Sequence, residues 1–463
     1  MTAFIASTTP TTAPQDGLAA GPRFRAMLAV MTAVAMASLD TAIANTALPA
    51  MAAQLQATPA ASVWIVNIYQ LAMVATLLPF AALGEIAGYR RVFIGGLVAF
   101  TAASLGCALA WSLPSLVAAR FVQGLGASAV MAVTTALMRA IYPAALQGRG
   151  FGTNALVVAV AFAVGPTVSS LILSVASWPW LFAINVPFGL TAWLVARGAV
   201  PDNARGTHRF DHLAAAYNVG AFGSLVLLFA EGAHGASPQR WVPELIVAVV
   251  CFALLLRRQR SHSAPLLPVD LFRIPVFTLS ALTAVCTFAV QGAAFVSLPF
   301  YFEALGRSPI ETGFLMTPWP AMVAVMGPVA GRLSERYTAG ALCGAGLLLL
   351  CAGVVTLILL PPAASDYAII WRMAVCGVGF GLFQAPNMKA IMSSAPLTRA
   401  GSASGIVATA RLTGQATGAA TVAGCFMLAH AAGPVTALAV AAVFAAVGAC
   451  VSFARLKVRP VSP

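Results

Sequence analysis

The sequence predicts an all-α integral membrane protein. It reads as two six-helix halves with two additional transmembrane helices between them, fourteen spans in all, both termini in the cytoplasm. Three observations carry that reading. The 463 residues are 60% hydrophobic and 8% charged, with a mean hydropathy of +0.91, whereas a soluble domain carries about 25% charged residues. The basic residues gather in alternate loops. Several polar and glycine features recur about 250 residues apart.

Apolar runs of the ~20 residues that a helix needs to cross a bilayer begin near residues 23, 62, 92, 114, 150, 179, 212, 241, 274, 309, 339, 367, 402 and 434. Residues 1–22 are rich in Thr, Ala and Pro, with no basic n-region or cleavage pattern. They are expected to form a disordered cytoplasmic tail rather than a signal peptide. The first half is expected over 23–199, a linker with the two extra helices over 200–273, the second half over 274–456 and a short cytoplasmic tail over 457–463.

Alternate loops hold 20 of the 25 basic residues. On one side lie Arg23 and Arg25, Arg90 and Arg91, Arg139 and Arg149, and Arg197, Arg205 and Arg209. The same side takes Arg257, Arg258, Arg260 and Arg273, Arg332 and Arg336, Lys389 and Arg399, and Arg455, Lys457 and Arg459. The opposite loops hold Arg240 and Arg307, while Arg120, Arg372 and Arg411 fall within spans. The positive-inside rule then places both termini in the cytoplasm. The +13 formal charge is accounted for by topology, so no nucleic-acid partner is expected.

The eight cysteines all lie in apolar runs without a CxxC pair and read as small buried hydrophobes. "GLGAS" in span four has no strand before it and is not a nucleotide site. No P-loop, metal-ligand spacing or Ser/His/Asp constellation appears. An enzyme, a bound cofactor, a metal and ATP-driven pumping are therefore not expected, and an energy source would have to be an ion gradient.

The repeat is visible in three places. "GEIAGYRR" (Gly84, Glu85, Gly88, Arg90, Arg91) follows span two, and "GRLSERY" (Gly331, Glu335, Arg336) follows span ten, with the glutamates 250 apart. "RFVQGLG" places Arg120 near the start of span four, and "RMAVCGVG" places Arg372 near the start of span twelve, 252 later. Gly152 and Gly165 in span five match Gly405 and Gly418 in span thirteen. Parallel six-helix halves with a site between them are the plan of secondary transporters of the major facilitator type.

The acid in "SLDTAIANTALPAM" is the most costly residue in the chain. A carboxylate at a span centre costs roughly 2.5–3.5 kcal/mol even on lenient scales. Asp40 either fixes packing through neighbours such as Ser38 or Asn45, or carries a proton in one state and releases it in another. Arg120 either locks helix packing or tunes a nearby acid. Arg372 is its counterpart by the repeat, and Arg411, mid-span, could pair with an anionic group, lipid or substrate. Glu231 and His234 sit near the outer end of span seven, and Glu303 and Glu311 flank an outer loop. Gly165-Pro166 frees backbone groups and permits a bend. Asn45, Trp64, Tyr69, Phe295, Trp319, Phe380 and Phe383 are candidates to line an apolar substrate cavity, against the bland reading of interface anchors.

These stretches resemble the fourteen-helix drug:proton antiporter branch of the major facilitator superfamily over nearly the whole chain. "LDTAIANTALP" is similar to that branch's span-one signature, with Ala42 in place of a threonine. "WPWLFAINVPFG" is similar to its span-six signature, with Pro179 in place of an arginine. Gly165-Pro166 resembles its antiporter motif, and the loop after span two resembles its cytoplasmic motif with Ala81, Glu85 and Ile86 departing from it. The resemblance implies proton-coupled efflux of lipophilic, by default cationic, drugs or biocides across the bacterial inner membrane. It makes Asp40 and Arg120 the coupling residues, with Glu231, Arg372 and Arg411 as secondary coupling or gating residues. The partners implied are a small amphiphilic substrate, protons and membrane lipids, with the chain acting as a monomer. Export or import of one metabolite or antibiotic is the alternative, followed by a non-transporting receptor or enzyme. Acids other than Asp40 are scarce, so neutral or anionic substrates stay open.

Overall fold

The computed structural model describes residues 17–143, 146–202, 210–232, 238–259, 269–395 and 400–458. The first half runs through α1 (Ala20–Thr46), α2 (Leu48–Gln54), α3 (Pro59–Ser62), α4 (Trp64–Ala87), α5 (Tyr89–Ala108), α6 (Leu113–Ile141), α7 (Gln147–Val175), α8 (Pro179–Ala183) and α9 (Asn185–Ala199). Next come α10 (His212–Gly232) and α11 (Pro238–Gln259). The second half is α12 (Pro275–Ala304), α13 (Pro309–Met316), α14 (Pro318–Leu333), α15 (Ala339–Ile358), α16 (Asp366–Ser394), α17 (Ala400–Ala429) and α18 (Gly433–Ala454). Among the described residues eleven stretches are long and apolar enough to cross a membrane, and one of these, Gly405–Lys457, covers parts of both α17 and α18.

The helix starts follow local chemistry. Thr58 and Ser308 cap α3 and α13, each just before a proline, and Ser112 and Ser365 cap α6 and α16. Each cap's hydroxyl accepts a backbone N–H that a helix start would otherwise leave unpaired in an apolar medium. Some rods are interrupted without being broken. α1 and α2 part at Ala47, just before Pro49, and α13 and α14 part at Thr317, before Pro318.

Glycine sets how closely the rods approach, as expected where packing and not hydrophobicity joins helices. A Cβ on Gly126 would lie 2.8 Å from the Gly96 carbonyl oxygen, pinning α6 to α5. One on Gly379 would lie 2.6 Å from the Gly346 carbonyl, pinning α16 to α15. Gly124 sits against Tyr69 and Ala72 of α4, and Gly377 against Trp319 and Met322 of α14. Gly165 of α7 meets Ala42 of α1, and Gly418 of α17 meets Ala289 of α12. The two halves are thus packed by the same rule at matching places.

This register corrects one expectation. The caps Ser112 and Ser365, and the glycines Gly124 and Gly377, are all 253 apart, which aligns Arg120 with Met373, fully buried, and not with Arg372. A shift of one residue turns a side chain about 100° around a helix of 3.6 residues per turn. Arg372 therefore leaves the interior stripe, and the second half has no equivalent of Arg120.

The extra pair lies on the seam between halves: α10 packs on α11, on α4 of the first half and on α17 of the second. The buried Asn218 amide donates to the Ala75 carbonyl at 2.9 Å, fastening α10 to α4. The halves also meet directly, α2 on α12, α3 on α17 and α7 on α13. These junctions lie at the end opposite the one where Leu18 N–H donates to the Ile141 carbonyl and the chain begins and ends. Toward the other end the halves still meet where α4 packs on α17, with Leu78 buried beside Ile391, Ala403 and Ile406.

Gly126→Ala should lower the thermal unfolding midpoint in detergent, since overpacking costs about 1–3 kcal/mol. Gly95→Ala, on the same pair of helices but facing open space, should hold or raise it, by up to about 1 kcal/mol of helix propensity. Equal midpoints would show that glycine contact does not set this spacing.

Candidate functional site

Asp40 and Arg120 form a buried ion pair, with side chains 1% and 0% exposed. Arg120 Nη1 donates to Asp40 Oδ2 and, at 2.7 Å, to Gln123 Oε1. Gln123 Nε2 returns a bond to Asp40 Oδ1 at 2.8 Å and also reaches Ser104 Oγ at 2.9 Å. Asn185 Nδ2 donates to the same Asp40 Oδ1 at 3.1 Å. Three donors thus converge on one carboxylate from α6 and α9. Ser38 and Asn45, the neighbours expected to hold Asp40, are not among its partners.

The guanidinium is held at Nε and Nη1, while its buried Nη2 has no partner. Arg120 Nε donates to the Ile65 carbonyl at 3.0 Å. The Tyr69 ring lies 4.1 Å and the Phe182 ring 5.5 Å from the Arg120 Cζ, so the faces that lack hydrogen bonds rest on aromatic quadrupoles. Tyr69 in turn donates its hydroxyl to the Ala37 carbonyl of α1 at 3.3 Å. One cluster therefore ties α1, α4, α5, α6 and the α8–α9 rod together. Sequence reading missed Gln123 and Asn185. Both were legible as amides in quoted motifs, Gln123 lying one turn after Arg120.

Beside the pair, the antiporter-motif helix crosses α1. Gly165 abuts Ala42, so the smaller residue at position 42 matches a close crossing. Ser169 Oγ donates to the Ile43 carbonyl at 3.3 Å, and Ser170 Oγ to the Pro309 carbonyl at 3.0 Å. Thr167 and Thr317 hydroxyls lie 2.8 Å apart. Pro166 and its serines thereby join α1 to α13 across the closed end.

A cavity of about 190 Å³ lies between the halves. Thr134, Thr135 and Asn154 of the first half face Phe288, Phe383, Gln384 and Arg411 of the second. No carboxylate lines it among the described residues, and neither Asp40 nor Arg120 reaches it. A larger crevice, about 880 Å³, lies at the closed end between α3, α12, α17 and α18, lined by Trp64, Phe300, Glu303, Phe426 and His430.

Of the residues expected to line the cavity, Phe383 does so. Trp64 lines the crevice at the other end. Asn45 is packed inside the first half, and Tyr69 is committed to Arg120. Phe295 and Trp319 stack edge to face at 5.5 Å, and Phe380 meets Phe288 at 5.5 Å, all within the second half's core. These aromatics face their own bundle because large rings are what fills the gaps between its helices.

The remaining candidates are placed as follows. Arg372 donates to the Thr356 carbonyl at 3.0 Å and the Ala368 carbonyl at 2.7 Å, its guanidinium over the Trp371 ring. Glu311 closes a capping box with Ser308, accepting its N–H at 2.8 Å. Glu303 is exposed. The Glu231 side chain and His234 lie outside the described residues. Gly88 turns the chain between α4 and α5 at φ +103°, a conformation that favours glycine. Gly84 is pressed against Val133 and Tyr89, Glu85 and Arg91 are exposed, and Arg90 donates to the Arg197 carbonyl at the end of α9. In the second copy Gly331 faces open space, and Glu335 and Arg336 are exposed.

The chain is similar to known transporters over most of its length. The sequence model described as "Major Facilitator Superfamily" matches residues 30–419. The chain is 49% identical over 444 residues to the uncharacterized transporter YebQ of Escherichia coli, covering 95% of this chain and 97% of YebQ. It is 28% identical to the riboflavin transporter RibZ of Clostridioides difficile, over 83% of this chain and 84% of RibZ. It is 31% identical to the multidrug resistance protein Stp of Mycobacterium tuberculosis, over 81% of this chain and 71% of Stp. Among solved structures, a peptide transporter POT superimposes with a TM-score of 0.71 at 14% identity, covering 93% of this chain and 94% of that one.

Arg120→Met should cost about 3–5 kcal/mol of stability, because it strands a buried carboxylate. Adding Asp40→Asn should recover much of that loss. Unfolding in detergent measures both, and strictly additive losses would show that the two groups are not coupled.

Proposed function

The chain belongs to the Major Facilitator Superfamily, and from that footing we propose that it is a proton-coupled exporter of small amphiphilic compounds. The transporter is multi-pass, of fourteen spans, with both termini on the cytoplasmic side of a bacterial inner membrane. The observation that carries the reading is the Asp40–Arg120 pair, fully enclosed in one half and bound by amides from α6 and α9. A protein that needed only packing there could use apolar residues, since a buried ion pair is often no better than a hydrophobic replacement. A group that must gain and lose charge cannot be replaced in that way.

The geometry supports a route for coupling. With the acid ionised, Arg120, Gln123 and Asn185 hold α1 against α6 and α9. A proton on Asp40 removes the charge that Arg120 faces and leaves the amides one acceptor fewer. The α1 crossing with Gly165 can then shift, and Gly165 lies in the helix that closes the outer end through Ser170 and Thr167. Protonation from outside would thus loosen the closed end, and release of the proton inward would restore it. Because neither charged residue lines the cavity, proton and cargo act through helix positions and not by competing for one carboxylate.

Two features support export. The lining residues of α16 and α17 lie in the parts of those helices nearer the side read as cytoplasmic, and relatives at about 31% identity include a protein named for multidrug resistance. A dedicated carrier of one metabolite is the second reading, favoured by the small polar lining of Thr134, Thr135, Asn154, Gln384 and Arg411. A susceptibility and metabolite panel in an efflux-deficient host separates the two: many unrelated compounds for the first, one chemical series for the second. No substrate, energy source or stoichiometry is needed beyond a proton gradient and the cargo.

In proteoliposomes with an imposed proton gradient, Asp40→Asn should abolish concentrative transport while leaving the protein monodisperse. Arg120→Ala should cut the rate at least tenfold, and Arg25→Ala, exposed at the start of α1, should leave it unchanged. Wild-type concentrative transport by Asp40→Asn would remove Asp40 from the coupling role.

A further inference from the structure

The central cavity carries a cation with nothing to answer it. Arg411 lies on α17, on the stripe whose Gly414 meets α12. It lines the cavity together with Phe288 and Phe383 and the polar side chains of Thr134, Asn154 and Gln384. Among the described residues Arg411 makes no hydrogen bond and no ion pair, and its Nε is a buried donor without a partner. Asn154 Oδ1 is a second buried polar atom left unpaired in the same cavity. The two fully buried arginines differ from it in having ionic or hydrogen-bonded partners: Arg120 has Asp40 and Gln123, although its Nη2 is also unpaired, and Arg455 has Ser280, Asn387 and Ser452.

Such a residue has no packing explanation. An uncompensated guanidinium in mid-membrane costs roughly 2.5–3.5 kcal/mol on the lenient scales, and the buried Nε without a partner adds to that. A neutral residue would fold as well. A cation held in a cavity of aromatic and amide side chains is the arrangement of a ligand site, in which apolar walls bury a body and a few polar groups fix its orientation.

We propose that Arg411 binds the anionic group of the cargo, so that the substrates of this transporter are amphiphilic anions carrying a carboxylate, sulfonate or phosphate. This rests on the reading of the chain as a transporter and departs from the lipophilic cations that the sequence resemblance makes the default. The guanidinium fork fits such an anion with two parallel donors. Gln384 and Asn154 can add amide contacts, and Phe288 and Phe383 cover the apolar part. A cation, by contrast, would enter a cavity that holds one positive charge and no carboxylate.

The test uses two probes with one skeleton, 2-naphthalenesulfonate and (2-naphthylmethyl)trimethylammonium, titrated calorimetrically into the full-length protein in phosphatidylcholine nanodiscs. The sulfonate should bind and the ammonium should not. Arg411→Gln should weaken sulfonate binding at least tenfold, and Arg411→Lys should keep part of it, with all variants monodisperse. Ammonium binding that Arg411→Gln leaves unchanged or improves, or no binding of either probe, overturns the proposal. An anionic lipid headgroup is the other source of the same chemistry. If native mass spectrometry finds phosphatidylglycerol retained by the wild type and lost from Arg411→Gln, while sulfonate fails to displace it, the cargo assignment falls. Proton movement on adding sulfonate to proteoliposomes is read separately. Arg411-dependent binding without any proton movement would leave the anion site standing and sink the reading of a proton-coupled carrier.

Discussion

The rest of the structure depends on how one ionised acid is kept in a place that water does not reach. Asp40 is affordable in α1 only because a guanidinium, two amides and a close fit of helices meet it there. Those partners come from different rods, so the electrostatic solution is also a tertiary constraint. Tyr69 and Phe182 must stack on Arg120, Gly124 must let α6 approach α4, and Gly165 must let α7 approach α1. A charge that had no such shell would be expelled or neutralised. The first half is built around it.

The second half is built to the same plan without the ion pair. Its caps and glycines fall in register with those of the first half, yet Met373 stands where Arg120 does, and its core is filled by Phe295, Trp319 and Phe380. The first bundle is therefore centred on a buried ion pair, and the second on aromatic and apolar packing with the buried Arg455 held by neutral partners. That asymmetry suits a rocking mechanism in which one half responds and the other presents the cargo surface. The cation of the central cavity, Arg411, lies on the half that lacks a proton site. In the proposed mechanism proton and cargo are read by different halves, which touch through the α7–α13 and α4–α17 contacts.

Much of this was legible in the sequence because membrane spans expose their rules. Apolar length, alternate basic loops and recurring glycines gave the rods and the repeat, and the cost of a buried acid singled out Asp40 and Arg120. What escaped was orientation. Arg372 looked equivalent to Arg120 because the two motifs differ by one residue between the arginine and the first glycine, a slip invisible without the glycine contacts. The aromatics were assigned to the cavity because ring size says that a residue is buried, not which way it faces. The partners of Asp40 were amides from spans four and six, far apart in sequence, where local reading offered only Ser38 and Asn45. Mid-span polarity was the better signal: Gln123, Asn154, Asn185 and Gln384 are amides in apolar helices, and each lies at the pair or in the cavity.

The central claim is that Asp40 itself changes protonation while the protein remains folded. Infrared difference spectra recorded between alkaline and acid states of the reconstituted protein test it most directly, because a protonated carboxyl has a carbonyl band that a carboxylate lacks. The account predicts a band in the wild type that is insensitive to the bulk-exposed acids and absent from Asp40→Asn. A wild-type spectrum without such a band, or one that Asp40→Asn retains in full, would contradict it.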